Sequence, residues 1–163
     1  MDEEIHGASN NQLILAACRN DQDEWLNDLL AQGDFDISFT DDNGNTSLHY
    51  ATKYGALACL ELLVRVAGIH MNSKNAIGDT PLHNAVQYKD DPEIALEMVN
   101  ILLDAGANPR IENKNKDSPL SLVKDINNED MNDLLTSVLV EGDEEEEQED
   151  DDDDEDDMID DQI

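Results

Sequence analysis

Basic side chains are scarce in this chain of 163 residues: nine Lys and Arg stand against 41 Asp and Glu, and the formal net charge is −32. A surface that binds DNA or RNA needs basic residues to neutralise phosphates and release counterions. An anionic membrane surface repels so acidic a chain for the same electrostatic reason. We therefore expect neither nucleic acid nor membrane as a direct ligand, and we expect a protein partner with a basic surface.

Cysteine is rare too, and long apolar runs are absent. The two cysteines, Cys18 and Cys59, are too few for a disulfide framework and lie in apolar helical patterns. No run approaches the roughly 20 apolar residues of a transmembrane helix. The N-terminal Met-Asp-Glu-Glu lacks the basic and apolar regions of a secretory signal. These features predict reduced, buried thiols, a cytoplasmic and/or nuclear location, and a monomer kept apart by its charge.

Motifs of catalytic and metal-binding sites are missing as well. The sequence has no phosphate-binding glycine loop ending in Gly-Lys-Ser/Thr, no His-Glu-x-x-His and no Gly-x-Ser-x-Gly. His6 and His70 have no Cys or Asp at the spacing of metal ligands. We therefore expect no enzymatic activity, no cofactor and no metal site.

What the sequence does contain is an internal repeat. The leucines Leu48, Leu82 and Leu120 are separated by 34 and then 38 residues, and a second apolar run follows each of them. A degenerate fourth copy, with its apolar residues between Leu13 and Leu30, precedes the three. The shared signature reads Gly-Asn-Thr-Ser-Leu-His-Tyr-Ala over residues 44–51, Gly-Asp-Thr-Pro-Leu-His-Asn-Ala over residues 78–85, and Lys-Asp-Ser-Pro-Leu-Ser-Leu-Val over residues 116–123.

This signature resembles the ankyrin-repeat family, whose motif is Thr-Pro-Leu-His-x-Ala with a period of about 33 residues. The motif is complete in one copy and nearly so in another, whereas the last copy has Ser121 in place of the histidine. The resemblance implies an all-α solenoid of stacked helix pairs with hairpin loops. We expect an N-terminal extension at residues 1–9, a repeat domain at 10–140 and a disordered acidic tail at 141–163. The repeats would be a capping copy at 10–41, a second at 42–74, a third at 75–112 and a closing copy at 113–140.

The third copy is longer than the others, and we place its insertion near residues 89–94, in an elongated turn between two helices. Asp-Asp-Pro-Glu at 90–93 is typical of such a turn with a new helix cap. The insertion is either a second contact loop or a tolerated surface insertion, since loops accept added length at small cost.

Two histidines and one tryptophan each allow a structural and a functional interpretation. His49 and His83 occupy the same position in adjacent repeats, but stacked helices lie about 8–10 Å apart, too far for a shared zinc ion. The resemblance implies that they brace the loops by hydrogen bonds. Trp25 lies among the leucines of the first copy, where we expect it to pack in the core rather than act as a binding anchor.

Tyrosines and hairpin tips are the candidates for partner binding. Tyr54 and Tyr88 lie at equivalent positions, six residues after Leu48 and Leu82. In the ankyrin pattern this part of the first helix faces the concave side, and tyrosines with adaptable polar neighbours suit protein recognition. The alternative is that they only shield helix ends. The predicted partner-binding residues are Asp42, Asn43, Asn45, Tyr50, Lys53, Tyr54, Ala76, Ile77, Asp79, Asn84, Gln87, Tyr88, Lys114 and Asn115.

The tail is the other prominent feature, with 17 acidic residues among the 23 of residues 141–163. Such a segment cannot bury enough apolar surface to fold alone. It would steer a basic client to the solenoid, cover basic parts of the concave face, or serve only as a solubility tail. We expect a non-enzymatic protein–protein interaction module, specifically an escort or assembly chaperone for a basic client. The alternative is a generic adaptor or inhibitor of a regulatory protein, with the tail serving solubility only.

Overall fold

The computed structural model of the chain describes residues 9–126 and 128–146, and these residues form eight α-helices and no strand. The helices alternate with loops of a few residues or with the longer loops that separate the repeats. They are α1 (Asn10–Arg19), α2 (Asp23–Gln32), α3 (Ser47–Lys53), α4 (Leu57–Leu63), α5 (Pro81–Val86), α6 (Pro92–Asp104), α7 (Pro119–Ile126) and α8 (Glu129–Glu146).

The helices form four consecutive pairs that stack side by side. The first helices of the pairs, α1, α3, α5 and α7, contact one another in that order, and the second helices, α2, α4, α6 and α8, do the same. The two layers enclose one continuous core, in which Leu48, Leu60 and Leu82 are fully buried. Ala51 and Ala85 are also fully buried, and their small size lets the layers approach closely. The predicted solenoid of stacked helix pairs is confirmed.

Local sequence explains where the first helices begin. The Thr46 hydroxyl accepts the N–H of His49 at 3.4 Å, and the Ser118 hydroxyl accepts the N–H of Ser121 at 3.1 Å. The Ser121 hydroxyl in turn accepts the Ser118 N–H at 2.9 Å. These bonds occupy N–H groups that a helix start leaves unpaired. Thr46 and Ser118 therefore cap α3 and α7.

The extra length of the third repeat lies mostly in a helix and not in the turn where we expected it. The loop after α5 covers residues 87–91, and Pro92 and Ile94, placed by the sequence in the elongated turn, belong to α6. Asp91 caps this helix by accepting the Glu93 N–H at 3.0 Å. The N–H groups of a first helical turn have no partner within the helix, so proline, which lacks an N–H, is well tolerated there. The Asp-Pro pair therefore starts a helix here. As a result α6 has 13 residues, whereas α4 has 7.

The prediction that Trp25 packs in the core is wrong, because its side chain is 38% exposed. Cys59, which follows Trp25 by one repeat of 34 residues, is buried, and its thiol contacts the Ala17 carbonyl of the preceding repeat at 3.5 Å. The described residues contain no repeat before the first one. Within the described residues, Trp25 therefore lacks the preceding repeat that Cys59 contacts.

Cys18 and Cys59 are both buried and free, as the sequence predicted. A hydrogen bond with the Cys59 thiol, followed by burial, raises the pKa of the Cys18 thiol. Because only the thiolate is a good nucleophile, burial and the raised pKa both disfavour reaction of the Cys18 thiol in the folded protein.

Helix α8 extends beyond the predicted boundary of the repeat domain, so residues 141–146 are helical. The rest of the predicted tail, residues 147–163, and residues 1–8 of the predicted N-terminal extension, lie outside the described residues. Ser9, the last residue of that extension, is described, and it caps α1 by accepting the Gln12 N–H at 3.2 Å.

Among the helices that the structure describes, none combines the length and the apolar character needed to cross a bilayer.

Candidate functional site

The loop before each first helix from the second repeat onward is closed by one side chain. In the middle loop the Asn75 Oδ1 atom accepts the N–H of Ile77 at 3.1 Å and that of Asp79 at 2.9 Å. Asp41 and Asn113 close the loops before and after it in the same way. Asx side chains favour such turns because a short polar oxygen reaches the backbone two residues further on. Each loop is therefore a fixed hairpin.

Backbone hydrogen bonds join the three hairpins into a continuous row, which we call the hairpin ladder. The Ala76 N–H donates to the Asn43 carbonyl at 2.8 Å, and the Lys114 N–H donates to the Ile77 carbonyl at 3.0 Å. These bonds fix the spacing of the hairpin tips, so the ladder presents them as one rigid edge.

Side chains cross-link the same hairpins. Asn75 Nδ2 donates to Asn45 Oδ1, and Asn113 Nδ2 donates to the Asp79 carboxylate, both at 2.9 Å. Asp79 is only 6% exposed. Its predicted role as a partner-binding tip is therefore corrected, because its carboxylate is already engaged by Asn113, which follows it by 34 residues.

The two motif histidines connect each repeat to the next. His49 Nδ1 accepts the Thr46 N–H at 3.1 Å, so its Nε2 carries the proton and donates to the Asp79 carbonyl at 2.8 Å. His83 makes the same pair of bonds, at 2.9 and 2.8 Å, in the next repeat. Burial lowers the pKa of His49 and keeps the ring neutral. The bracing role that the resemblance implies is confirmed, and both nitrogens of each ring are used in it.

A groove of about 410 Å³ runs between the hairpin ladder and the helices α3 and α5. Nine of its ten lining residues are among the predicted partner-binding residues, and only Asn75 was missed. The structure thus brings most of the predicted set together, and we call this feature the hairpin groove. Its lining residues are Asn43, Asn45, Lys53, Asn75, Ala76, Ile77, Asp79, Asn84, Gln87 and Tyr88.

The groove combines one exposed apolar tip with polar walls. Ile77 is 60% exposed. Tyr88 is half-buried, because its ring lies where a side chain on Gly55 would point. Burial raises the pKa of the Tyr88 hydroxyl, so it remains an uncharged donor at neutral pH. The amides of Asn84 and Gln87 are anchored by single bonds to the His49 and His83 carbonyls.

A tyrosine cluster lies beside the groove, formed by Tyr50, Tyr54, Arg19 and Lys53. The two tyrosine rings are 6.2 Å apart, and the Arg19 and Lys53 cations each lie 5.7 Å from the Tyr54 ring centre. The Tyr50 hydroxyl donates to Asp41 at 2.7 Å, and burial together with this bond raises the pKa of Tyr50 to about 12. Tyr50 is therefore held in place, whereas Tyr54 is 42% exposed and available for contact.

The remaining predicted residues lie outside the hairpin groove. Asp42 and Tyr50 line a neighbouring depression of about 340 Å³. Lys114 and Asn115 are exposed at the tip of the last hairpin. Arg19, which the sequence analysis did not select, precedes Lys53 by one repeat, and this period was the signal that could have identified it.

Lys116 provides a test of the hairpin geometry. It has a φ of +70° at the position of Gly44 and Gly78, and this left-handed conformation costs a side chain about 1 kcal/mol. We expect Lys116→Gly to raise the free energy of unfolding by about that amount in urea denaturation. The control is Lys114→Gly, because Lys114 is not among the residues with positive φ and glycine should be slightly destabilising there. Equal effects of the two substitutions would contradict this account.

Comparison with known proteins places these features in context. Residues 13–113 match the family described as ankyrin repeats (3 copies). The chain is 37% identical over 95 residues to an ankyrin repeat-containing protein of Saccharomyces cerevisiae. The aligned region covers 56% of this chain and 52% of the yeast protein. It is 36% identical over 111 residues to ankyrin repeat domain-containing protein 53 of Homo sapiens. That aligned region covers 68% of this chain and 20% of the human protein. The matched region thus spans about half of the yeast relative and about a fifth of the human one.

Proposed function

The chain belongs to the ankyrin-repeat family, whose repeats are protein–protein interaction modules, and from this premise we propose that it is a non-enzymatic escort or assembly chaperone for a basic protein. The observation that carries the proposal is the hairpin groove. It brings together on one preformed surface nine of the predicted partner-binding residues, of which Asp79 is already engaged by Asn113.

The construction of the groove favours tight binding by a rigid surface. The hairpin ladder holds Ala76 and Lys114 to their neighbours by backbone bonds of 2.8 and 3.0 Å. A preformed surface loses little conformational entropy when it binds, so more of the contact energy appears as affinity.

Exposed apolar and aromatic side chains supply the contacts. Ile77 and Tyr54, 60% and 42% exposed, are two of the large hydrophobic residues that the described structure leaves open to solvent. Aromatic residues are enriched among the residues that dominate binding energy. Ile77 and Tyr54 are therefore expected to be the anchors of the interface.

Charge is the reason for proposing a basic client. Residues 1–140 carry 24 acidic and 9 basic side chains, and residues 147–163 add 12 acidic residues. Fields of one sign accelerate the association of an oppositely charged partner and are screened by salt. An acidic escort would also cover basic patches that otherwise bind nucleic acid or other anions non-specifically.

The neutral character of the anchors favours the second candidate, a generic adaptor or inhibitor that recognises a surface of mixed charge. Neither Ile77 nor Tyr54 carries a charge, so both would contact a surface of mixed charge as well as they would contact a basic one. The two candidates differ in how binding depends on salt and on the acidic segment.

The test starts with affinity purification of partners by the full chain, followed by stopped-flow kinetics with the partner recovered. We expect Ile77→Ser to weaken binding about tenfold or more, as for an interface anchor. Trp25→Ser is the matched control, because it also removes an exposed apolar side chain, but outside the groove. Similar binding by Ile77→Ser and by the unaltered chain would contradict the role of the groove.

Deleting residues 147–163, which leaves α8 complete, separates the two candidates. For a basic client we expect association to slow several-fold at low salt and the difference to vanish near 1 M salt, where the screening length is about 3 Å. Unchanged rates at every salt concentration, together with a partner of neutral charge, would favour the adaptor.

A further inference from the structure

A second groove, of about 530 Å³, lies on the other layer of the solenoid, between the second helices α6 and α8. We call it the outer groove, because the hairpin groove lies beside the first helices. Its walls come from one face of each helix: Leu96, Glu97 and Asn100 from α6, and Asp130, Asp133 and Leu134 from α8. Residues three and four apart share a helix face, so each set forms a continuous stripe along its helix.

The floor of the outer groove is apolar and incompletely covered. Leu96 and Leu134 pack against the core of the solenoid, yet both are only half-buried. Glu97, Asp130 and Asp133 are exposed around them. An apolar strip with a polar rim is the usual anatomy of a surface that binds another protein.

The charge of the outer groove is entirely negative. The sequences of α6 and α8 contain no Lys, Arg or His, and all nine basic residues of the chain lie elsewhere. The hairpin groove, by contrast, contains Lys53, and Arg19 lies in the adjacent tyrosine cluster. The side chains that line the outer groove are therefore acidic or neutral, without a basic residue among them.

The shape of the outer groove follows from the long third repeat. With 13 and 18 residues, α6 and α8 are the longest described helices, and they are adjacent. At 1.5 Å per residue, α6 is about 20 Å long. The residues that line the groove cover a little over one turn of α6 and about two turns of α8, so the groove can contact about two turns of a third helix lying in it, a common mode of peptide recognition.

We propose that the outer groove binds a basic amphipathic helix of a partner protein. The apolar stripe of that helix lies on Leu96 and Leu134, and its Lys or Arg side chains pair with Glu97, Asp130 and Asp133. This deepens the proposed function, because it assigns the basic part of the client to a surface separate from the hairpin groove.

The test uses the full chain and a labelled synthetic peptide of about 18 residues, made of Leu, Lys and Ala with leucines at helical spacing. Binding is measured by fluorescence anisotropy near 0.15 M salt, where distant charges are largely screened. We expect the triple variant Glu97→Gln, Asp130→Asn, Asp133→Asn to bind about tenfold more weakly, since each rim pair contributes a factor of about two to three. The matched control neutralises three exposed acids elsewhere, Asp28→Asn, Asp34→Asn and Glu61→Gln.

Three outcomes decide the proposal. A loss of affinity confined to the outer-groove variant supports it. Equal weakening by the control variant overturns it, because net charge alone then accounts for binding. Equally tight binding of a peptide with its leucines replaced by serine also overturns it, because the apolar floor then contributes nothing.

The Ile77→Ser variant distinguishes this proposal from the one before it. If that variant loses the purified partner while the outer-groove variant binds the peptide normally, the outer groove is not the site and the proposed function stands. If Ile77→Ser retains the partner while the outer-groove variant loses the peptide, the outer groove stands and the hairpin groove does not.

Discussion

Replacing Gly78 by alanine is expected to lower the free energy of unfolding by about 3 kcal/mol, combining left-handed backbone strain with overpacking. Gly78 has a φ of +87°, a conformation that side chains rarely adopt. A Cβ atom there would also lie 2.8 Å from the Lys114 nitrogen and 3.0 Å from the Asn113 Cα atom. Both contacts are with backbone, so the next hairpin must shift as a whole and the ladder bond between Ile77 and Lys114 is strained.

Gly68 is the matched control for this experiment. Its φ of +82° is nearly the same, but nothing lies within 4 Å of the added Cβ. Gly68→Ala should therefore cost only the conformational part, about 1–2 kcal/mol. Urea denaturation of both variants measures the difference in the free energy of unfolding, provided that the slope of this free energy against urea concentration is the same in both. If the two substitutions cost the same, close packing of the hairpins contributes nothing to stability.

Replacing His49 by alanine is the second large effect, with an expected loss of about 3 kcal/mol. The substitution leaves the Thr46 N–H without its acceptor and opens a cavity between two repeats. It also removes one of the two donors to the Asp79 carbonyl, which keeps the Asn75 N–H at 3.0 Å. His70 is the control, because it is exposed and its replacement by alanine should change stability by less than about 0.5 kcal/mol. A small effect of His49→Ala would show that water replaces the ring without cost.

The pH dependence of stability gives an independent measure of His49. Burial lowers its pKa below the usual 6.5 in the folded protein. Below pH 6.5 the unfolded chain therefore binds a proton that the folded chain does not, and stability falls as the pH falls, until the folded pKa is reached. The maximal slope for one such proton is about 1.4 kcal/mol per pH unit. We expect the stability of His49→Ala to change less between pH 6.5 and about 5.5 than that of the unaltered chain, with urea midpoints as the readout.

The sequence was most informative where the determinant is local. The bracing histidines His49 and His83 contact residues nearby or one repeat away, and Ile77 is an exposed hairpin tip, as the repeat pattern predicts. Once the repeat is identified, its period is enough to predict the positions of these residues. The same period predicted most of the residues that line the hairpin groove.

The sequence was misleading where a residue depends on what lies beyond its own repeat. Trp25 has the spacing of a core residue, but burial there requires a preceding repeat, which the described residues do not provide. Asp79 has the position of a free tip, but Asn113 reaches it from the next hairpin. The outer groove depends on the length of α6, whose first residues, from Pro92 to Ile94, have a sequence typical of a turn.

The end of the hairpin ladder has a consequence for how such an array can grow. At the position of Gly78, where a following hairpin approaches within contact distance, the last hairpin carries Lys116, and at the position of the bracing histidine it carries Ser121. Lys116 would collide with an added hairpin, and the side chain of Ser121 is too short to reach that hairpin with a hydrogen bond. Elongation by duplication or by engineering would therefore require changing both, to glycine and histidine, before a fifth unit could dock.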